Sequence, residues 1–82
     1  MTETAAAVIE IIARETKCST QEITLDTGLD NLGIDSLKAI VILSELEDHL
    51  GIEIPNEIIG SIRTVGDIVT KVDELRKNSN TE

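Results

Sequence analysis

The sequence predicts an all-α fold, a small four-helix bundle with three main helices, one short third helix and a long first loop. Three stretches carry apolar residues at helical spacing, whereas the segments between them are rich in Ser, Thr, Asp, Asn and Gly. A chain of 82 residues is long enough for one modest core. Residues 1–82 are therefore predicted to form a single domain, structured over about 4–76 and with a frayed polar tail over 77–82.

The composition predicts an aliphatic core and an acidic surface. The chain has 13 Ile and 8 Leu but no Phe, Trp or Tyr. Its 16 acidic and 7 basic residues give a formal net charge of −9, which repels nucleic-acid phosphates and anionic lipids and favours partners with basic surfaces. No apolar run reaches the roughly 18 residues of a membrane span, and the N-terminus lacks a signal-peptide pattern. We therefore expect no nucleic-acid partner, no membrane partner and a cytoplasmic location.

The first helix is predicted from about Thr4 to Thr16, because its apolar residues fall on one helical face. These residues are Ala5, Val8, Ile9 and Ile12. The helical period is lost over residues 17–35, which are predicted to form a long loop held to the core by isolated apolar residues, namely Cys18, Ile23, Leu25, Leu29 and Leu32. A structureless connection of this length in a compact domain is usually functional.

The second and principal helix is predicted over residues 36–50, and its apolar face consists of Ala39, Ile42, Leu43, Leu46 and Leu50. Gly51 is expected to end this helix, and Pro55 closes an extended link that follows it. A short third helix is predicted around Asn56 to Ser61. The fourth helix begins at the capping-box pattern Thr64-Val65-Gly66-Asp67, and its apolar residues are Val65, Ile68, Val69, Val72 and Leu75.

The run Leu32-Gly33-Ile34-Asp35-Ser36-Leu37 nominates Ser36 as the functional residue. Gly33 permits a sharp turn, and Asp35 has a side chain that can cap a helix. Ser36 then lies in the first helical turn, where unpaired backbone N–H groups and the helix dipole favour an anion such as a covalently attached phosphate. The same residues also fit an ordinary helix start.

Other chemistries fit the sequence less well. His49 lies thirteen residues after Ser36 on the same predicted helix, roughly 20 Å away, so it cannot activate the serine. One His and one Cys do not make a zinc site, and a calcium-loop pattern started at Asp26 fails. No catalytic residue and no dedicated metal ligand is therefore predicted. Weak divalent binding stays open wherever carboxylates converge, either Asp26, Asp30 and Asp35 or Glu45, Glu47, Asp48 and Glu53.

Taken together, these residues resemble the acyl carrier protein family over nearly the whole chain. The resemblance rests on the six residues around Ser36 and on further motifs in family-like order, namely Leu46-Glu47, Leu50, Ile54-Pro55 and Ile62-x-Thr64-Val65. It implies a discrete monomeric carrier that is not an enzyme, with 4′-phosphopantetheine transferred from coenzyme A to Ser36 by a magnesium-dependent holo-carrier-protein synthase, a phosphopantetheinyl transferase. It also implies that the terminal thiol holds acyl intermediates for fatty acid, polyketide or specialised lipid biosynthesis.

The sequence departs from many fatty-acid synthesis carriers beside the serine. Where they have two acids, this chain has Lys38 and Val41. Because Leu37 and Val41 lie about 40° apart on a helical wheel, they are predicted to form an apolar patch next to Ser36. These departures indicate a specialised carrier whose partners are acyl-transferring or condensing enzymes with basic or apolar docking surfaces. The residues expected to contact such partners are Asp35, Leu37, Lys38, Val41, Glu45, Glu47, Asp48 and Glu57.

Two alternatives stay open from the sequence. The chain is also compatible with a carrier of aminoacyl or peptidyl groups, although Gly33-Ile34-Asp35 favours an acyl carrier, because peptidyl carriers more often have a second glycine and no aspartate there. The other alternative is an acidic helical docking module that is never modified.

Overall fold

The computed structural model describes residues 3–79 and has the predicted all-helical architecture. Helix α1 spans Glu3–Thr16, α2 spans Ser36–Leu50 and α3 spans Val65–Ser79, while a 3₁₀ helix over Asn56–Ser61 forms the predicted short helix. Helix α3 thus continues three residues past the predicted boundary at 76, so the residues up to Ser79 are helical. Residues 80–82 of the predicted tail lie outside the described residues.

The first loop is more ordered than the sequence predicted. It contains two 3₁₀ turns, Thr20–Glu22 and Asp30–Leu32. Ser19 and Glu22 form a capping box around the first turn, with the backbone N–H of Gln21 donating to Ser19 Oγ at 3.2 Å. Turns of three residues are too short to leave an apolar period in a sequence, and their stability comes from local polar contacts instead.

Backbone hydrogen bonds hold this loop against the start of α3. Gly28 and Thr64 form an isolated antiparallel bridge, and the Val65 N–H donates to the Thr27 carbonyl at 3.0 Å. The Gly66 N–H donates to the Leu25 carbonyl at 2.8 Å, so closely that a Cβ at Gly66 would lie 2.9 Å from that oxygen. The segment before α2 and the segment before α3 therefore lie side by side.

Aliphatic side chains from all three α-helices fill the core, as predicted from the composition. The residues with the least exposure include Val8, Ile12, Ile42, Leu46, Val65 and Val72. Burying one such side chain contributes about 1.5–3 kcal/mol. Cys18 is half-buried against this core as expected, but Leu25 is 42% exposed, so its predicted role as a core anchor is wrong. Leu25 serves the fold through its backbone carbonyl instead.

A buried polar contact joins the start of α1 to the C-terminal half of α3. The hydroxyl of Thr4, which is almost fully buried, donates to Asp73 Oδ1 at 2.9 Å and accepts from Arg76 Nη1 at 2.7 Å. These bonds satisfy a hydroxyl that would otherwise be costly to bury. Within residues 3–79, no helix combines the length and the apolar character that crossing a bilayer requires.

Candidate functional site

Ser36 is the first residue of α2 and is exposed. Asp35 has extended backbone angles and its Oδ1 accepts a hydrogen bond from the Lys38 N–H at 2.8 Å, which confirms the predicted N-cap. The earlier N–H groups of the first turn have no acceptor within the helix. These N–H groups favour a negatively charged group at Ser36. The positive end of the dipole of this 15-residue helix has the same effect.

The turn before α2 fixes the direction of Ser36. Gly33 has a φ of 73°, in the left-handed region that glycine adopts without strain. Its N–H donates to the Asp30 carbonyl, and the next N–H, from Ile34, donates to the Leu29 carbonyl at 3.0 Å. The Ile34 side chain is buried, so it anchors the turn in the core while Ser36, two residues later, faces outward.

An open groove of about 450 Å³ adjoins Ser36. Its apolar residues come from the first loop, α2 and the region of the 3₁₀ helix, and its polar residues are Asp30, Asp35, Ser36 and Arg63. The apolar lining consists of Leu29, Ile34, Ala39, Ile59 and Ile62. The groove thus offers an apolar wall and charged edges to anything attached to the serine hydroxyl.

Three exposed apolar side chains lie on α2 just after Ser36, and we call Leu37, Ile40 and Val41 the apolar patch. Their exposed fractions are 72%, 37% and 41%. The predicted exposure of Leu37 and Val41 is confirmed. Ile40 was missed, although a helical wheel places it about 60° from Leu37 on the side opposite Val41.

Lys38 and Glu45, both predicted to contact partners, take part in an ionic network with α1. Lys38 Nζ lies 3.7 Å from Glu15 Oε1, and Arg14 Nη2 donates to Glu45 Oε1 at 2.8 Å. The interaction between the carboxyl groups of these two glutamates raises the pKa of Glu15 and lowers the pKa of Glu45. Lys38 and Glu45 therefore connect α2 to α1 in addition to facing solvent.

The remaining predicted contact residues divide into structural and exposed ones. Glu47 Oε2 accepts a hydrogen bond from the Ile54 N–H at 2.7 Å and so holds the link after α2 in place. The Glu47 carbonyl also accepts from the N–H of Gly51, which has a φ of 67° and ends α2 as predicted. Asp48 and Glu57 are exposed, on α2 and in the first turn of the 3₁₀ helix.

Neither set of carboxylates considered for divalent binding forms a metal-binding group in the described part of the chain. In residues 3–79, no three His, Cys, Asp or Glu side chains lie together in a way that could hold a metal ion. The possibility of weak divalent binding by Asp26, Asp30 and Asp35 is therefore not supported, since the Asp35 carboxylate is directed at the Lys38 N–H. The second set of candidates is likewise dispersed, with Glu45 against α1 and Glu47 on the link.

Known proteins match this chain in sequence and in fold. The family model described as "Phosphopantetheine attachment site" matches residues 6–72. The meromycolate extension acyl carrier protein of Mycobacterium leprae is 38% identical over 78 residues, which cover 94% of this chain and 68% of that protein. An acyl carrier protein of Streptococcus pyogenes serotype M1 is 43% identical over 70 residues, covering 85% of this chain and 92% of that protein. The crystal structure of an acyl carrier protein from Thermotoga maritima shares the fold, with a TM-score of 0.79 and 24% identity, covering 92% of this chain and 88% of that one.

Proposed function

Because this chain belongs to the acyl carrier protein family, we propose that Ser36 is the residue to which its 4′-phosphopantetheine is attached. The observation that carries the proposal is the combination of an exposed hydroxyl, a helix N-terminus and an adjoining groove at one residue. When bound, this group supplies a thiol that holds acyl chains as thioesters.

The other described serines lack that combination. The hydroxyl of Ser19 caps a 3₁₀ turn, and the hydroxyl of Ser61 donates to the Ile58 carbonyl at 2.9 Å. Ser44 is exposed in the middle of α2, where backbone N–H groups are already bonded within the helix. Ser79 is at the opposite end of a helix, where the dipole disfavours a phosphate.

The residues around Ser36 fit the group. The free N–H donors of the first turn suit the phosphodiester, and the groove walls formed by Ile59 and Ile62 suit the arm beyond it. Ser36 supplies only the hydroxyl, because His49 lies in the last turn of α2, about thirteen residues along the helix and roughly 20 Å away. We therefore expect the base for the transfer to come from the phosphopantetheinyl transferase.

We further propose that the chain is a carrier without catalytic activity of its own and that the apolar patch contacts its acyl-transferring or condensing enzymes. The support is the 72% exposure of Leu37 one residue after the attachment site, together with the diversion of Lys38 toward α1. The names of the relatives favour acyl cargo in fatty acid or specialised lipid synthesis. A cytoplasmic location and a monomeric state stay predictions.

A thiol titration tests the attachment of the arm. The chain has one cysteine, so a Cys18→Ser variant has no thiol before the reaction. Incubation with coenzyme A and a broad-specificity phosphopantetheinyl transferase, followed by desalting, should introduce one thiol per chain. A variant that stays without thiol under conditions in which a known carrier protein is converted would refute the proposal and favour an unmodified docking module.

A further inference from the structure

Arg63 is the only basic residue that lines the groove beside Ser36 in the described part of the chain. The other charged residues of the groove are Asp30 and Asp35. A phosphodiester on Ser36 adds a further negative charge next to these carboxylates, in a protein whose formal net charge is already −9. Like charges in one groove repel one another, so a cation nearby would stabilise the modified serine in addition to the N-terminus of α2.

The backbone of Arg63 is fixed on both sides at the edge of the groove. Its N–H donates to Asp67 Oδ2 at 2.9 Å, and its carbonyl accepts from the Leu29 N–H at 2.9 Å. These two bonds do not involve the Arg63 side chain. Substitution of the side chain should therefore leave the loop and the start of α3 in place.

The guanidinium of Arg63 is available for a ligand. The residue is exposed, and the ion pairs within 4.0 Å among residues 3–79 involve Arg14, Lys38 and Arg76 but not Arg63. The carboxylate of the neighbouring Asp67 accepts from the backbone N–H groups of Arg63 and Thr64, and the charge of the Arg63 side chain makes only a smaller contribution to the lowered pKa of Asp67. A guanidinium has five donors in a planar fork that matches the oxygens of a phosphate.

Resting on the proposed attachment at Ser36, we propose that Arg63 is a positioning residue whose guanidinium binds the phosphodiester of the attached arm and holds the arm along the groove. The arm then leaves Ser36 toward Ile59 and Ile62 rather than toward the apolar patch on α2. An exposed contact between opposite charges contributes little free energy. We therefore expect it to change the population of the groove-bound arm by about two- to fivefold at low salt. The effect should decline as salt is added.

Nuclear magnetic resonance of the protein with the arm attached and its thiol free tests this contact. In the wild-type protein, attachment of the arm should shift the side-chain Nε–H signal of Arg63 and slow its exchange with water. Arg63→Gln should change the phosphorus-31 shift of the phosphodiester and make the arm amides more mobile, whereas Arg63→Lys should retain part of the effect. Lys77→Gln, which removes the same charge from the exposed end of α3, should change neither signal.

The outcomes separate this inference from the proposed attachment itself. Intact mass and helical circular dichroism are recorded first for each protein. If the arm is attached in every variant but the phosphorus signal and arm mobility are the same in Arg63→Gln and Lys77→Gln, the role of Arg63 is refuted and Ser36 stands. If a difference appears only after the thiol is loaded with a dicarboxylic acyl group, Arg63 binds the cargo carboxylate and the inference is wrong. Failure of attachment in the wild-type protein refutes both.

Discussion

The ammonium group of Lys38 lies 3.7 Å from Glu15 Oε1 in α1, although Lys38 follows Ser36 by only two residues. Lys38, which the sequence analysis predicted to contact partners, is therefore directed at the neighbouring helix. The exposed apolar side chains next to Ser36 on α2 are those of the apolar patch, Leu37, Ile40 and Val41. We therefore expect contact with a partner at this point to depend more on apolar burial than on charge.

Leu37→Ala tests whether the apolar patch also contacts the phosphopantetheinyl transferase that modifies Ser36. Truncating an apolar anchor at the centre of an interface costs about 1–2 kcal/mol, so kcat/KM for the phosphopantetheinyl transferase should fall roughly five- to thirtyfold. The thermal stability should hardly change, because Leu37 is already 72% exposed. Leu25→Ala is the matched control, since Leu25 is an exposed leucine in the first loop, away from α2. Equal kinetics for the two variants would show that the patch does not contact this enzyme.

Asp35→Ala tests the cap that positions Ser36. Loss of the bond to the Lys38 N–H should lower the free energy of unfolding by about 1 kcal/mol, which corresponds to a melting temperature lower by roughly 4–8 °C in a domain of this size. Asp35→Asn should stay close to the wild-type value, because asparagine caps a helix about as well. Thermal melting followed by circular dichroism gives both values. If the Asn and Ala variants were equally destabilised, the charge rather than the cap would be responsible.

Protonation of Asp67 should lower the stability of the protein in acid. Hydrogen bonds from the backbone N–H groups of Arg63 and Thr64 lower the pKa of Asp67 below its ordinary value of 3.8. A pKa that is lower in the folded state stabilises the fold above the unfolded-state pKa, and this stabilisation is lost as the pH falls through the folded-state pKa.

The free energy of unfolding, measured by urea denaturation and circular dichroism, should therefore decrease less steeply below about pH 4 in Asp67→Asn than in the wild-type protein. Asp26→Asn, at an exposed position of the first loop, controls for the change in net charge. Identical acid slopes for Asp67→Asn and the wild-type protein would contradict the role assigned to these backbone bonds.

The sequence predicted best the parts of the fold that local patterns determine. Helix α2 and the 3₁₀ helix have the predicted bounds, because Asp35, Gly51 and Pro55 mark their ends and the apolar period is strong between them. The capping box at the start of α3 is also confirmed, with Thr64 and Asp67 each accepting from the backbone N–H of the other.

Contacts between distant segments could not be read from the sequence. The pairing of Lys38 with Glu15 depends on how α1 packs against α2, and the bond from Ile54 to Glu47 depends on the path of the link. The position of Arg63 at the groove depends on its bond to Leu29 in the first loop. These three contacts depend on how the segments pack together. The spacing of apolar residues predicts a helix but does not predict which polar groups of different segments meet.

Salt should stabilise the protein through its net charge. A formal net charge of −9 on a small domain produces self-repulsion in the compact state, so added sodium chloride should raise the melting temperature. Magnesium and calcium chloride should give the same value at equal ionic strength, because the carboxylates of residues 3–79 do not gather in a metal-binding group. A higher melting temperature in calcium alone would reveal a carboxylate site and contradict this description of the surface.

The most direct test of the central claim compares Ser36→Ala with Ser44→Ala by intact mass after incubation with coenzyme A and the transferase. Ser44 is an exposed serine on the same helix, two turns from its N-terminus, and is therefore a matched control. We expect the Ser44→Ala protein to gain the mass of one arm, as the wild-type protein does, and the Ser36→Ala protein to gain none while its helical circular dichroism stays intact. Modification that persists in Ser36→Ala would contradict the assignment of Ser36 as the attachment site.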